Sequence, residues 1–136
     1  MGNHASRFTN APFFLYTDGA IVPQDVTHVC VHPSVAAIPD RAFVGHRQLK
    51  EVVLPEGLEE IGRRAFNSCR SLKRINFPST LTAIGPFAFG HCTSLREVDL
   101  SKVTTIGTSA FGGCRALERI NIPSTVTTVI GAAAFC

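Results

Sequence analysis

Apolar residues recur along this chain in columns about 23 residues apart, with polar positions between them in the same order each time. Leu49, Leu72, Leu95 and Leu117 open successive copies, and Val26 opens a more divergent first one. With these aligned, Val29, Val52, Ile75, Val98 and Ile120 form one column, and Val31, Leu54, Phe77, Leu100 and Ile122 the next. Val35, Leu58, Leu81, Val103 and Val126 follow, then Ile38, Ile61, Ile84 and Ile106. An Ala-Phe pair comes late in every copy: Ala42-Phe43, Ala65-Phe66, Ala88-Phe89, Ala110-Phe111 and Ala134-Phe135. Self-similarity at this period predicts a solenoid, in which each unit buries its apolar side only against its neighbours.

The copy from Leu72 to Ser94 shows how one coil is expected to fold. Ile75 and Phe77 are two apart, so both face one side of a short strand while Arg74 and Asn76 face the other. Pro78-Ser79-Thr80 turns the chain, because proline ends a ladder and the hydroxyls bond to local backbone. Leu81 and Ile84 face inward again, and Gly85 turns the chain once more. The spacing of Ala88, Phe89 and Cys92 predicts a single helical turn. Stacked copies would then set strand on strand at about 4.8 Å in a narrow parallel sheet. Gly62, Gly85 and Gly107 share a position that Pro39 holds in the first copy. Proline cannot adopt positive φ, so either the first coil bends differently or these glycines serve close packing.

The run Leu72-x-x-Ile75-x-Phe77-Pro78-x-x-Leu81-x-x-Ile84-Gly85-x-x-Ala88-Phe89-x-x-Cys92 resembles the BspA-like class of leucine-rich repeat. The copies beginning at Leu49, Leu95 and Leu117 match it too, and the resemblance covers roughly residues 26 to 136. It implies a β-rich, right-handed solenoid of about five coils with short parallel strands and short helical turns, used for protein recognition. It brings no catalytic residue and no cofactor. Departures are local: His46 stands for the cysteine, Ser101-Lys102 shortens one turn, and Val129-Ile130-Gly131 carries an extra residue.

The ends differ from the middle. Residues 1–12 read as a disordered polar leader. Phe13-Phe14-Leu15-Tyr16, Thr17-Asp18-Gly19 and Ala20-Ile21-Val22 predict a β-hairpin over residues 13–25 that caps the first coil. The repeats fill residues 26–136 and stop at Phe135-Cys136 in a truncated last copy. An uncapped C-terminal coil of this kind invites self-association. Met1-Gly2-Asn3-His4-Ala5-Ser6 fits the N-myristoylation pattern, which makes Gly2 a candidate acylation site. A single acyl chain gives only weak, reversible membrane contact, and Arg7 is the lone base nearby.

Composition narrows the classes. The net charge of +3 comes from basic and acidic residues that are interspersed rather than grouped. Five cysteines, an odd number, in a chain whose start does not read as a secretory leader point to a reducing, cytoplasmic setting. No run approaches the ~20 apolar residues of a membrane helix. Cys69, Cys92, Cys114 and His46 are of zinc-binding type, but stacked one per coil they span roughly 15 Å, whereas zinc needs ligands about 2.3 Å from one point. A buried cysteine ladder is the better reading. The histidines have no repeated Ser or Asp partner, so catalysis is not expected. Lys50, Lys73 and Arg96 stack, but Glu118 breaks the run and the phenylalanines are core residues, so nucleic acid is not expected either.

What remains is the outward side of the strands. One column reads His28, Glu51, Arg74, Glu97, Arg119 and its neighbour reads Cys30, Val53, Asn76, Asp99, Asn121. Alternating charges on adjacent rungs suit a ladder of ion pairs, each contributing at most about 1 kcal/mol, which sets register and solubility. The functional expectation is a non-enzymatic module that binds an unidentified partner protein through Glu51, Arg74, Asn76, Glu97, Asp99, Arg119 and Asn121. The alternative is a myristoylated, membrane-recruited adaptor, or a structural repeat fragment of a larger protein.

Overall fold

A computed structural model describes residues 13–122 and 128–129 of the chain. Each coil has three sides, and two of them carry strands. The first side holds β1 (Phe14–Tyr16), β2 (His28–Val31), β4 (Glu51–Val53), β7 (Glu97–Asp99) and β9 (Arg119–Asn121). The second holds β3 (Ala37–Ile38), β5 (Glu60–Ile61), β6 (Ala83–Ile84), β8 (Thr105–Ile106) and β10 (Thr128–Val129). All pairings are parallel and follow the repeat. Val29 stands opposite Val52, Val98 opposite Ile120, and Ile38, Ile61, Ile84 and Ile106 form one continuous row. The columns of the sequence are therefore the rows of the sheets. A one-residue slip would turn a buried row outward, so register is strongly fixed.

The third side is not helical, and the expected helical turns are absent from the described residues. Two positions per coil take the left-handed conformation there, which an α-helix cannot tolerate. The first is Arg41, Arg64, Phe87 and Ser109, with φ of 62°, 57°, 57° and 54°. The second is Gly45, Ser68, His91 and Gly113, with φ of 74°, 66°, 58° and 75°. The amide groups also divide their bonding. In the coil of Phe66, the N–H groups of Ala65, Asn67 and Cys69 donate three residues back, to Gly62, Arg64 and Phe66. Those of Arg64, Phe66 and Ser68 donate instead to Pro86, Ala88 and Gly90 of the next coil. A helix keeps its N–H groups to itself, whereas here every second one ties coil to coil. The Ala-Phe spacing reads as helical because it places the ring inward, and a chain of tight turns does so equally well.

The predicted hairpin is also corrected. Asp18-Gly19 does make a turn, with the Ala20 N–H donating to the Thr17 carbonyl at 2.9 Å. The chain does not double back into a strand: Ile21 is exposed and Pro23, which lacks an N–H to give a ladder, opens the next turn. It travels round one coil so that β1 pairs with β2 in parallel, Phe14 opposite Val29 and Tyr16 opposite Val31. β1 is thus the strand of a partial preceding coil. Tyr16, almost fully buried, covers Phe43 with ring centroids 5.1 Å apart.

The core is a single stack. Phe43, Phe66, Phe89 and Phe111 lie face to face, with centroids 5.0, 5.2 and 5.3 Å apart and planes within 6°. Small Ala65, Ala88 and Ala110 beside them are buried and leave the rings room. The glycines at the corner after the isoleucine answer the question posed by Pro39. None of Gly62, Gly85 and Gly107 has positive φ, and a side-chain carbon on each would collide with backbone of the preceding coil. Close packing fixes them.

Candidate functional site

The outward residues of the first side gather around two adjoining hollows. One, of about 520 Å³, is lined by Asn76, Glu97, Asp99, Arg119 and Asn121 together with Ile75, Phe77, Val98 and Ile120 of the same rungs. The other, of about 560 Å³, is lined by Glu51, Arg74, Asn76 and Glu97 with Lys50 and Lys73 at its margin. All seven residues expected from the sequence to contact a partner therefore line one face.

Their internal bonding is sparse. Arg119 approaches Glu97 at 3.9 Å, and both side chains are at least half exposed, so the pair contributes little to stability. The Asn121 amide donates to the Asp99 carboxylate at 3.2 Å, and the Ser101 N–H donates to the same oxygen at 3.0 Å. Glu51 lies 3.9 Å from Nε2 of His28, a buried imidazole that also meets Oγ1 of Thr27 through Nδ1 and the edge of the Phe13 ring. Among the described residues, no carboxylate lies within ion-pair distance of Arg74. The continuous ladder of charges expected from Glu51 to Arg119 is thus two separate contacts with a free cation between them.

Arg74 also sits where the sheet is interrupted. β1, β2 and β4 form one sheet, β7 and β9 another, and Arg74 joins the second by a bridge to Glu97. No backbone hydrogen bond links residues 50–54 to residues 73–77. The other two sides remain tied across the same coils, Ile61 to Ile84 and Phe66 to Ala88. The opening is therefore confined to the strand face, and the larger hollow lies over it. The alternation of charges carries no trace of this break.

The cysteine ladder is inert filling. The thiols of Cys69, Cys92 and Cys114 donate to the carbonyls of Phe43, Phe66 and Phe89 at 3.2, 3.1 and 3.1 Å. Burial pushes Cys69 up to about 12 and Cys114 up to about 11, and it raises Cys92 as well, helped by its two neighbouring thiols. Thiols held protonated in this way are poor nucleophiles and poor metal ligands. His46 fills the same slot in its coil, with Nε2 3.4 Å from the Val22 carbonyl. Among the described residues, no three of His, Cys, Asp and Glu come together as a metal site. Gly2, Cys136 and the C-terminal end on which self-association was expected lie outside the described residues.

Residues 23–136 match the BspA type leucine rich repeat region, in six copies. The chain belongs to this leucine-rich-repeat family. The repeat solenoid is similar to a leucine-rich repeat protein from Bacteroides ovatus, with a TM-score of 0.70 and 33% identity over 74% of this chain and 26% of that one. It is similar to the T. pallidum leucine rich repeat protein, with a TM-score of 0.67 and 33% identity over 79% of this chain and 62% of that one. A leucine rich cell surface protein from Faecalibacterium prausnitzii aligns with a TM-score of 0.71 and 26% identity, over 91% of this chain and 33% of that one. The leucine-rich-repeat chain thus spans about a quarter to three-fifths of the length of these relatives. No curated protein sequence matches it.

Proposed function

We propose that this leucine-rich-repeat scaffold is a non-enzymatic interaction module that docks a partner protein on its first strand face. The observation that carries the reading is the convergence of Glu51, Arg74, Asn76, Glu97, Asp99, Arg119 and Asn121 on two adjoining hollows. Arginine is over-represented at the energetic centre of docking surfaces. Arg74, exposed and without an ion-pair partner among the described residues, can meet a carboxylate of the bound protein.

The test is a comparison of partners captured by the wild-type chain, by Arg74→Glu/Arg119→Glu, and by the turn-side control Arg41→Glu/Arg63→Glu. Denaturation midpoints establish that all three are folded. The face variant should lose a partner that wild type and control retain. An identical partner set from all three would remove the strand face as the docking site.

A further inference from the structure

We infer that the corner where the turn side meets the strand face is a docking ridge for an extended, acidic polypeptide segment. This deepens the strand-face reading by giving the partner a chemistry, and it stands on different residues.

Two rows of cations run along that corner. Arg47, Arg70 and Arg115 occupy three of the tight turns that close the coils, Leu49 N–H to His46 carbonyl, Leu72 to Cys69 and Leu117 to Cys114, with Thr93 in the corresponding turn of Leu95 to Cys92. Lys50, Lys73 and Arg96 follow the leading leucines Leu49, Leu72 and Leu95. The backbone stacks the last two directly, the Arg96 N–H donating to the Lys73 carbonyl, while Lys50 lies across the interrupted rung and gives its own N–H to Thr27. All six are exposed. None has a carboxylate within 4.0 Å, since the ion contacts formed by the described residues are those of Glu51 with His28 and Glu97 with Arg119. The sequence alone shows the Lys50 row and its end at Glu118. The coil geometry adds the arginine row beside it, and the two together make a field that neither makes alone. At about 4.8 Å per coil the ridge extends roughly 15 Å.

The surroundings select the kind of anion. Beside the ridge lies a hollow of about 440 Å³ bordered by Lys73, Arg74, Arg96 and Arg119 but also by Glu97 and Glu118. A phosphodiester strand carries a charge on every unit and would be repelled by those two carboxylates. No aromatic side chain belongs to the two rows on which bases could stack. A polypeptide alternates its side chains, so it can set acidic residues on the cations and neutral or basic ones on Glu97 and Glu118. Two rows side by side, with successive members one coil apart along the axis, also make a narrow line rather than the broad plane that a membrane would need.

The test uses the whole chain and a labelled peptide of alternating glutamate and serine, about eight residues long, which covers the ridge at ~3.4 Å per residue. Fluorescence anisotropy should show saturable binding that weakens as salt is raised. Lys50→Glu/Lys73→Glu/Arg96→Glu should weaken it by about tenfold or more, in keeping with the loss of several charge pairs. Arg41→Glu/Arg63→Glu/Lys102→Glu, with the same change in net charge away from the ridge, should retain it. No binding, equal loss in both variants, or tighter binding of single-stranded oligo-U or of phosphatidylserine vesicles than of the peptide would overturn the inference. The two readings fail separately. Peptide binding that survives Arg74→Glu/Arg119→Glu supports the ridge whatever the face does, and a face-dependent partner with no peptide binding leaves the face standing without the ridge.

Discussion

Gly85 lies flat against Gly62 of the preceding coil: a side-chain carbon on Gly85 would stand 2.8 Å from the Gly62 carbonyl carbon and 2.8 Å from the Arg63 nitrogen. Both neighbours are backbone and belong to a segment tied by the Gly85 N–H to the Ile61 carbonyl at 2.8 Å. Neither can yield without loosening the coil. Gly85→Ala should therefore destabilise the array by about 1–3 kcal/mol, the usual cost of overpacking. The matching change at Gly57, where the nearest atom is 4.0 Å away, should act only through its φ of 103°. Urea denaturation of the two variants separates collision from backbone strain. An unchanged midpoint for Gly85→Ala would refute close packing as the reason for this glycine.

The phenylalanine stack predicts a graded response along the coils. Phe66 is fully buried between Phe43 and Phe89, so Phe66→Ala removes a ring with neighbours on both faces. A loss of about 3–5 kcal/mol is expected, against less for Phe66→Leu, which keeps most of the volume. Because each coil is held only by its neighbours, the loss should appear first as exchange of amide protons in the adjoining coils. Uniform exchange through the whole chain would instead show that the coils unfold as one.

The inward rows were legible because burial repeats: Val29 over Val52 and Ile61 over Ile84 follow from spacing alone. The hairpin was misread because Asp18-Gly19 makes the expected turn, while the fate of Ile21 depends on a coil pairing that local residues do not encode. The helical turns were misread for a different reason. Arg64 and Phe87 adopt positive φ, and neither is a residue type that signals it. At the candidate site, the seven outward residues were legible from period-two alternation. The break between residues 50–54 and 73–77 was not, because it arises from how whole coils seat on one another.

Ser68 offers a test of the left-handed positions. Its φ is 66°, and the same place in other coils is held by Gly45 and Gly113. Glycine populates this region freely, whereas a β-branched residue is strained there. Ser68→Val should cost about 1–2 kcal/mol and Ser68→Gly should not. The order glycine, serine, valine in thermal midpoint is the expected result. A valine variant as stable as serine would contradict a left-handed backbone at this position.

The cysteine ladder makes stability depend on alkaline pH. Cys69 and Cys92 are buried, and their raised values mean that the folded chain holds its thiol protons where the unfolded chain, with an ordinary value of 9.0, gives them up. Above pH 9 the unfolded state binds fewer protons, so unfolding becomes progressively easier. The stabilisation is complete below pH 9 and is lost as pH rises toward about 12, where Cys69 itself ionises in the fold. Tyr16, raised by burial and by Asp18, adds to the decline at its upper end. The urea midpoint should be flat from neutral pH to about 9 and fall beyond it. In Cys69→Ala/Cys92→Ala the midpoint should start lower, because two buried groups are missing, but fall less steeply over the same range. Equal slopes for the two proteins would mean that the thiols are not held protonated by the fold.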